Sequence, residues 1–216
     1  MKESVKKIFD DLFIRYAALE PLTDQIRASF DALKKCYSSG GKVLACGNGG
    51  SASDSEHIVG ELMNKFYCKR PVSSDLRERL RAITDTASAD YLADHLETPL
   101  PAISLVSQTA LITAVANDIS SEMIFAQQVL GYARPGDILF AFSTSGNSPN
   151  ILNAVNVARA CNMITIGFTG QQGGKLKDIC DITIRVPAQK TFIIQEHHFP
   201  IYHCLCMMIE EEIFGT

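Results

Sequence analysis

The sequence predicts an α/β fold: a doubly wound parallel five-stranded sheet flanked by helices, with an N-terminal helical hairpin and a helical surface insertion. Five strand-length apolar runs, 42–46, 102–105, 137–142, 163–168 and 181–186, are apolar throughout rather than alternating, as in strands covered on both faces. Helical periodicity fills the spaces between them, and alternating strands and helices form a parallel sheet. The 216 residues, 46% of them hydrophobic, supply one domain with ample core.

Taken in order, residues 2–38 carry two apolar helical faces. Val5, Ile8, Phe9, Leu12, Phe13 and Tyr16 form the first, and Leu22, Ile26, Phe30 and Leu33 the second. Pro21 suits the first turn of the second helix, and Ser38-Ser39-Gly40-Gly41 ends it. The hairpin thus occupies 1–39. Helices are expected at 52–64, 107–116, 119–131, 149–161 and 173–179, and a long one, rich in Ile, Leu, Met and Cys, at 191–213. Residues 69–99, dense in charge of both signs, break the rhythm. Connections in compact α/β domains run ~2–6 residues, so this stretch is an insertion of two short surface helices.

Composition removes several function classes. Twenty Lys and Arg against 24 Asp and Glu leave a net charge of −4, which argues against a broad basic face for nucleic acid. No apolar run reaches the ~18–20 residues of a membrane span, and MKESVKKIFDDLF lacks a signal-peptide apolar core. Seven cysteines, odd in number and without CxxC spacing, read as buried thiols of a reducing cytoplasm.

Two polar loops follow predicted strands and precede predicted helices, where open α/β sheets bind ligands. The first is CGNGGSASD, 46–54, in which Asn48, Gly49, Gly50 and Ser51 stand at a helix N-terminus. Its glycine spacing is neither GxGxxG nor a P-loop, which disfavours a nucleotide. The second is FSTSGNSPN, 142–150, where Ser143, Thr144, Ser145 and Ser148 gather four hydroxyls in six residues. Each loop alone would pass for a helix cap. Two ending parallel strands favour a phosphate monoester held without a formal positive charge. Strand–CGNGGS–helix and strand–STSGNS–helix resemble the sugar isomerase (SIS) domain, over residues 40–213 apart from 69–99. The resemblance implies that these loops hold the phosphate of a sugar.

His57 and Glu61, four residues apart, share a helix face. They lie one to three turns from the phosphate loop, roughly 9–15 Å in rise, about the span of a seven-carbon sugar phosphate. The last helix carries Gln195, Glu196, His197, His198 and His203 within nine residues. HIVGE at 57–61 and QEHHFPIYH at 195–203 are similar, position by position, to the signature of phosphoheptose isomerases within the SIS domain family. That resemblance implies one zinc ion per site held by His57, Glu61, Gln195 and His203, with Glu61 and His203 as the acid/base pair. It further implies that Asn117 and Asp118, after the helix at 107–116, lie near the substrate hydroxyls, with Gln195 a ligand or substrate contact.

The reaction implied is aldose–ketose interconversion through an enediol, with sedoheptulose 7-phosphate as substrate. Residues 195 and 203 sit ~12 Å apart on a straight helix, so a shared metal requires long side chains, a bend or another subunit. Pro200 between them is expected to kink or interrupt the helix. The family has an acidic residue where this chain has Phe192, and lacks the 69–99 insertion. Two non-catalytic alternatives share the fold: a replication-initiator-associating scaffold and a sugar-phosphate-sensing regulator. Neither needs both Glu61 and His203, and both are present here. The apolar faces of the hairpin exceed what one small sheet covers, and with the resemblance they imply a homotetramer.

Overall fold

The computed structural model describes residues 1–215. Five parallel strands, β1 (Val43–Cys46), β2 (Ala102–Ser104), β3 (Ile138–Phe142), β4 (Ile164–Thr169) and β5 (Ile182–Arg185), form one sheet in the order 2-1-3-4-5. The order reverses between β1 and β3, which are hydrogen-bonded neighbours in register from Val43↔Ile138 to Cys46↔Ala141. That junction is the switch point at which doubly wound sheets open a ligand crevice.

Alternate strand residues feed two cores. Val43, Ala45, Ile138, Phe140, Phe142, Ile166, Phe168 and Ile184 pack under α1 (Glu3–Arg15), α2 (Thr23–Ser38), α3 (Gly50–Met63) and α10 (Thr191–Phe214). Leu44, Cys46, Leu139 and Ala141 pack under α7 (Ile124–Tyr132), α8 (Pro149–Ala160) and α9 (Leu176–Ile179), with α6 (Thr109–Asp118) against α7. A strand buried on both sides needs no polar face, hence the continuous apolar runs. Helix α10 is rich in apolar residues for the same reason, since α1, α2 and α3 all pack on it.

Several boundaries differ from expectation. Pro21 lies inside a 3₁₀ turn, Ala17–Leu22, and α2 begins at Thr23. The helix expected at 107–116 runs on to Asp118, so Asn117 and Asp118 are its last residues. The helix expected at 119–131 is shortened, because Ser120 accepts from the Glu122 N–H and opens a 3₁₀ turn first. Of 173–179 only Leu176–Ile179 is helical, since Gly173 and Gly174 have φ of +77° and +53°, outside the right-handed helix. Helix α10 continues through Pro200 without interruption. One backbone bond is forfeited there, and the packing of Ile201, Tyr202, Cys204 and Leu205, all buried, offsets it.

The apolar faces of the N-terminal hairpin are largely covered within the chain, chiefly against α10: Val5, Phe9, Leu12, Ile26, Phe30 and Leu33 are buried, while Ile8 and Phe13 are half-buried and Tyr16 is exposed. Residues 69–99 do fold as two helices, α4 (Ser74–Ile83) and α5 (Thr86–His95), capped by Ser73 and Asp85. Arg77 and Arg81 pair with Asp90 and Asp94 between them. The insertion is pinched at its neck, where Arg70 N donates to Glu97 Oε2 at 2.6 Å and Thr98 N to Arg70 O at 2.6 Å.

Candidate active site at the switch point

The loops after β1 and β3 lie side by side above the crevice. Asn48 and Asn150 exchange two amide hydrogen bonds, each 2.9 Å, stitching one loop to the other. Gly49, at φ +58°, turns the chain into α3. Gly47 lies so close to Ser51 that any side chain there would strike the Ser51 carbonyl. Neither α3 nor α8 has a side-chain cap, although Ser148 is the residue before α8. Its hydroxyl faces Ser143 Oγ at 3.1 Å instead. Ser51 N and Ala52 N donate to the Asn48 and Gly49 carbonyls, Ile151 N donates to that of Ser148, and Pro149 has no N–H, so among the described residues the Gly50 and Asn150 N–H groups are the ones left to an anion. Ser51 and Ser143 are buried, Thr144 is half-buried and Ser145 exposed, its Oγ accepting from Asn147 N at 3.2 Å.

Helices α3 and α10 run parallel, and two levels of contact set their register. At the loop end, Gln195 lies against Gly50, where an added Cβ would come within 2.6 Å of its Nε2. Two turns on, Tyr202 Oη lies 3.3 Å from Asp54 Oδ1 and 3.3 Å from His57 Nδ1. Beside it His203 Nε2 lies 3.3 Å from His57 Nε2, and His57 Nε2 lies 2.9 Å from Glu61 Oε1. His57, Glu61 and His203 thus bring three donor atoms within 4.8 Å of one another.

Their protonation follows from the surroundings. Among the described residues Asp54 Oδ2 is buried without a partner, so the Tyr202 hydroxyl is the donor that serves this carboxylate, and it accepts from His57 Nδ1–H in turn. His57 Nε2 then presents a lone pair to a carboxylate and a second imidazole. Such convergence is repulsive unless a proton or cation sits among the three, and two imidazoles with a carboxylate fit a transition-metal ion. Burial pushes Asp54 up to about 6, against the opposing pull of the Tyr202 hydrogen bond and the nearby His57. Burial, then the neighbouring His57, pushes His203 down to about 4, so it is neutral at pH 7. Phe66 and Phe199 lie against the His203 ring, with centroids at 5.1 and 4.1 Å. A groove of about 690 Å³ between α1 and α10 opens onto it, lined also by Ile8, Tyr16 and Tyr67.

The expected residues divide accordingly. His57, Glu61 and His203 meet, and Asn48, Gly49, Gly50, Ser51, Ser143 and Ser148 line the two joined loops. Gln195 does not join His57, Glu61 and His203, because eight residues of α10 carry it from His203 to the Gly50 level. Asn117 and Asp118 are exposed at the end of α6, and among the described residues their hydrogen bond is to each other, 2.8 Å. Sequence reasoning missed Asn150, Asp54 and Tyr202. The first lies in the quoted loop and the second three residues before His57, one helical turn, so position could have flagged both. A tyrosine on an apolar helix carries no such signal.

Comparison with known proteins agrees with this geometry. The SIS domain family profile matches residues 13–95 and 92–170. The phosphoheptose isomerase of Shewanella oneidensis is 38% identical over 99% of this chain and 97% of its own length. The solved phosphoheptose isomerases of Neisseria gonorrhoeae and Francisella tularensis superpose with TM-scores of 0.73 and 0.73. They share 30% and 36% identity and cover 97% and 96% of this chain, 98% and 95% of their own. With two joined polar loops at the switch point and His57, Glu61 and His203 gathered beyond them, the chain belongs to the SIS domain family and, within it, to the phosphoheptose isomerases.

Proposed function

We propose that the protein interconverts sedoheptulose 7-phosphate and D-glycero-D-manno-heptose 7-phosphate through an enediol, in the cytoplasm, as a homotetramer. The observation that carries the reading is the convergence of Glu61 and His203 on His57, one sugar's length from two loops whose helix N-termini are uncapped. His57 and Glu61 lie six and ten residues beyond Ser51, roughly 9–15 Å of helical rise, comparable with the span of a seven-carbon sugar phosphate once the side chains reach back toward the loop. Asn48, Gly49, Gly50, Ser51, Ser143, Thr144, Ser145 and Ser148 take the phosphate through amides and hydroxyls. Gln195, beside Gly50, contacts the substrate near that end, and Asn117 and Asp118 are assigned to sugar hydroxyls on family resemblance alone.

The Glu61 carboxylate removes the proton from the carbon beside the carbonyl. His203, neutral at pH 7, passes a proton to the carbonyl oxygen and takes one from the neighbouring hydroxyl, through the ring nitrogen that a bound ion would leave free. Glu61 then returns its proton to the former carbonyl carbon, and no atom is gained or lost. His57, Glu61 and His203 would hold a Zn²⁺ ion, whose chemistry is polarisation of the carbonyl and stabilisation of the enediolate charge. Gln195 completes the ligand set of the resemblance only by moving or by belonging to another subunit.

The seven free thiols support a reducing compartment. Exposed apolar side chains on separate faces, Ile14 at 81% and Leu130 at 61%, support self-association. The test is turnover in D₂O: product with deuterium on the carbon beside the carbonyl supports proton abstraction by a side chain. Quantitative retention of the substrate's hydrogen would point to hydride transfer and contradict it. Removing metal with a chelator should abolish turnover, and Zn²⁺ should restore it.

A further inference from the structure

The mechanism leaves unused the two fully buried charged side chains that face each other, Arg70 and Glu210, both at 0% exposure. Arg70 Nε donates to Glu210 Oε1 at 2.5 Å, Nη1 to the Leu62 carbonyl at 2.6 Å and Nη2 to the Glu61 carbonyl at 2.9 Å. The guanidinium therefore closes the C-terminal end of the helix that carries His57 and Glu61, gripping the peptide of Glu61 itself. Glu210 lies two turns past His203 on α10. Its carboxylate also accepts from Phe66 N at 2.9 Å and Tyr67 N at 2.6 Å, with Cys68 N at 3.2 Å. Phe66 is the residue whose ring lies against His203. One ion pair thus holds the backbone of one member of the acid/base pair and the aromatic wall of the other.

A buried ion pair is a poor device for stability alone, since apolar residues of similar volume serve as well. What it supplies here is direction: a planar fork and a carboxylate fix distances that apolar contacts leave free to slide. Parallel helices packed through Ile, Leu and Cys could shift along one another, and a slip of one residue, ~1.5 Å, would part Glu61 from His203.

We propose that Arg70 and Glu210 are positioning residues that lock α3 against α10 and thereby set the separation of Glu61, His57 and His203. This rests on the isomerase reading for its catalytic consequence, though not for its geometric one. The test uses the full chain carrying Arg70→Lys, which keeps the charge beside Glu210 and loses the fork. Zn²⁺ affinity, from competition with a chromophoric chelator, is measured beside kcat and KM for sedoheptulose 7-phosphate. The expected result is a folded protein with Zn²⁺ affinity and kcat each at least tenfold lower and KM within twofold, because the phosphate loops are untouched.

A folded Arg70→Lys with wild-type Zn²⁺ affinity and kcat overturns the proposal. If that variant does not fold, Glu210→Gln, which keeps acceptor oxygen for the loop amides, is judged by the same two readouts. A wild type that binds Zn²⁺ without isomerising the sugar sinks the isomerase reading alone, and the affinity ratio still decides the positioning. A wild type that does neither overturns both.

Discussion

At residue scale, individual atoms separate the candidate chemistry from the fold that carries it. Glu61→Gln keeps shape and hydrogen bonding but cannot take a proton, so kcat should fall about 10²- to 10⁴-fold while the melting temperature barely moves. Steady-state kinetics beside thermal unfolding would check this. Arg70→Met should instead strike stability, by about 3–5 kcal/mol, because it leaves the buried Glu210 charge unpaired. Denaturant titration measures that loss. His57, Glu61 and His203 were legible in sequence because two helical spacings and a family signature mark them. Tyr202 and Arg70 were not. Their partners are 148 and 140 positions away, Asp54 and Glu210, and no local pattern announces a contact made only after the helices pack.

At the scale of elements, strand positions were legible because a strand buried on both faces must be apolar throughout, and helices because their periodicity is local. Ends were harder. Consecutive left-handed glycines erased most of the helix expected at 173–179, and Pro200 failed to break α10 because burial outweighed one lost backbone bond. The same burial makes α10 acid-sensitive. His198 is fully buried between Phe142 and Phe168, its Nδ1 without a partner among the described residues, and burial pushes it from 6.5 down to about 4.

A lowered folded-state value means that the unfolded chain binds the proton first. Stability from His198 is therefore intact above about 6.5 and drains as pH falls toward about 4. Unfolding free energy followed across that window should drop on acidification. His198→Phe should flatten the slope, and an unchanged slope would assign the acid sensitivity to other groups.

At the scale of the whole molecule, the sheet order 2-1-3-4-5 places the loops after β1 and β3 together, and parallel packing of α3 on α10 brings residues 57, 61 and 203 to one point. The expectation that uncovered hairpin faces drive assembly met a partly different arrangement, since α10 covers most of each face inside the chain and leaves Tyr16 exposed. Sequence periodicity reveals that a face is apolar, and which element meets it is decided by topology. Self-association must then use what stays exposed, such as Ile14 on α1. Light scattering at micromolar concentration should give four times the 23.6 kDa chain mass, and a monomer would contradict the tetramer.

The most direct measurement is turnover of sedoheptulose 7-phosphate by Zn²⁺-supplemented wild-type chain beside folded His203→Ala. The account predicts isomerisation by the wild type and its loss, by about 10²-fold or more, in the variant. A folded, Zn²⁺-supplemented wild type without turnover, or a His203→Ala that retains it, would contradict the assignment of His203 and Glu61 as the groups that move the proton.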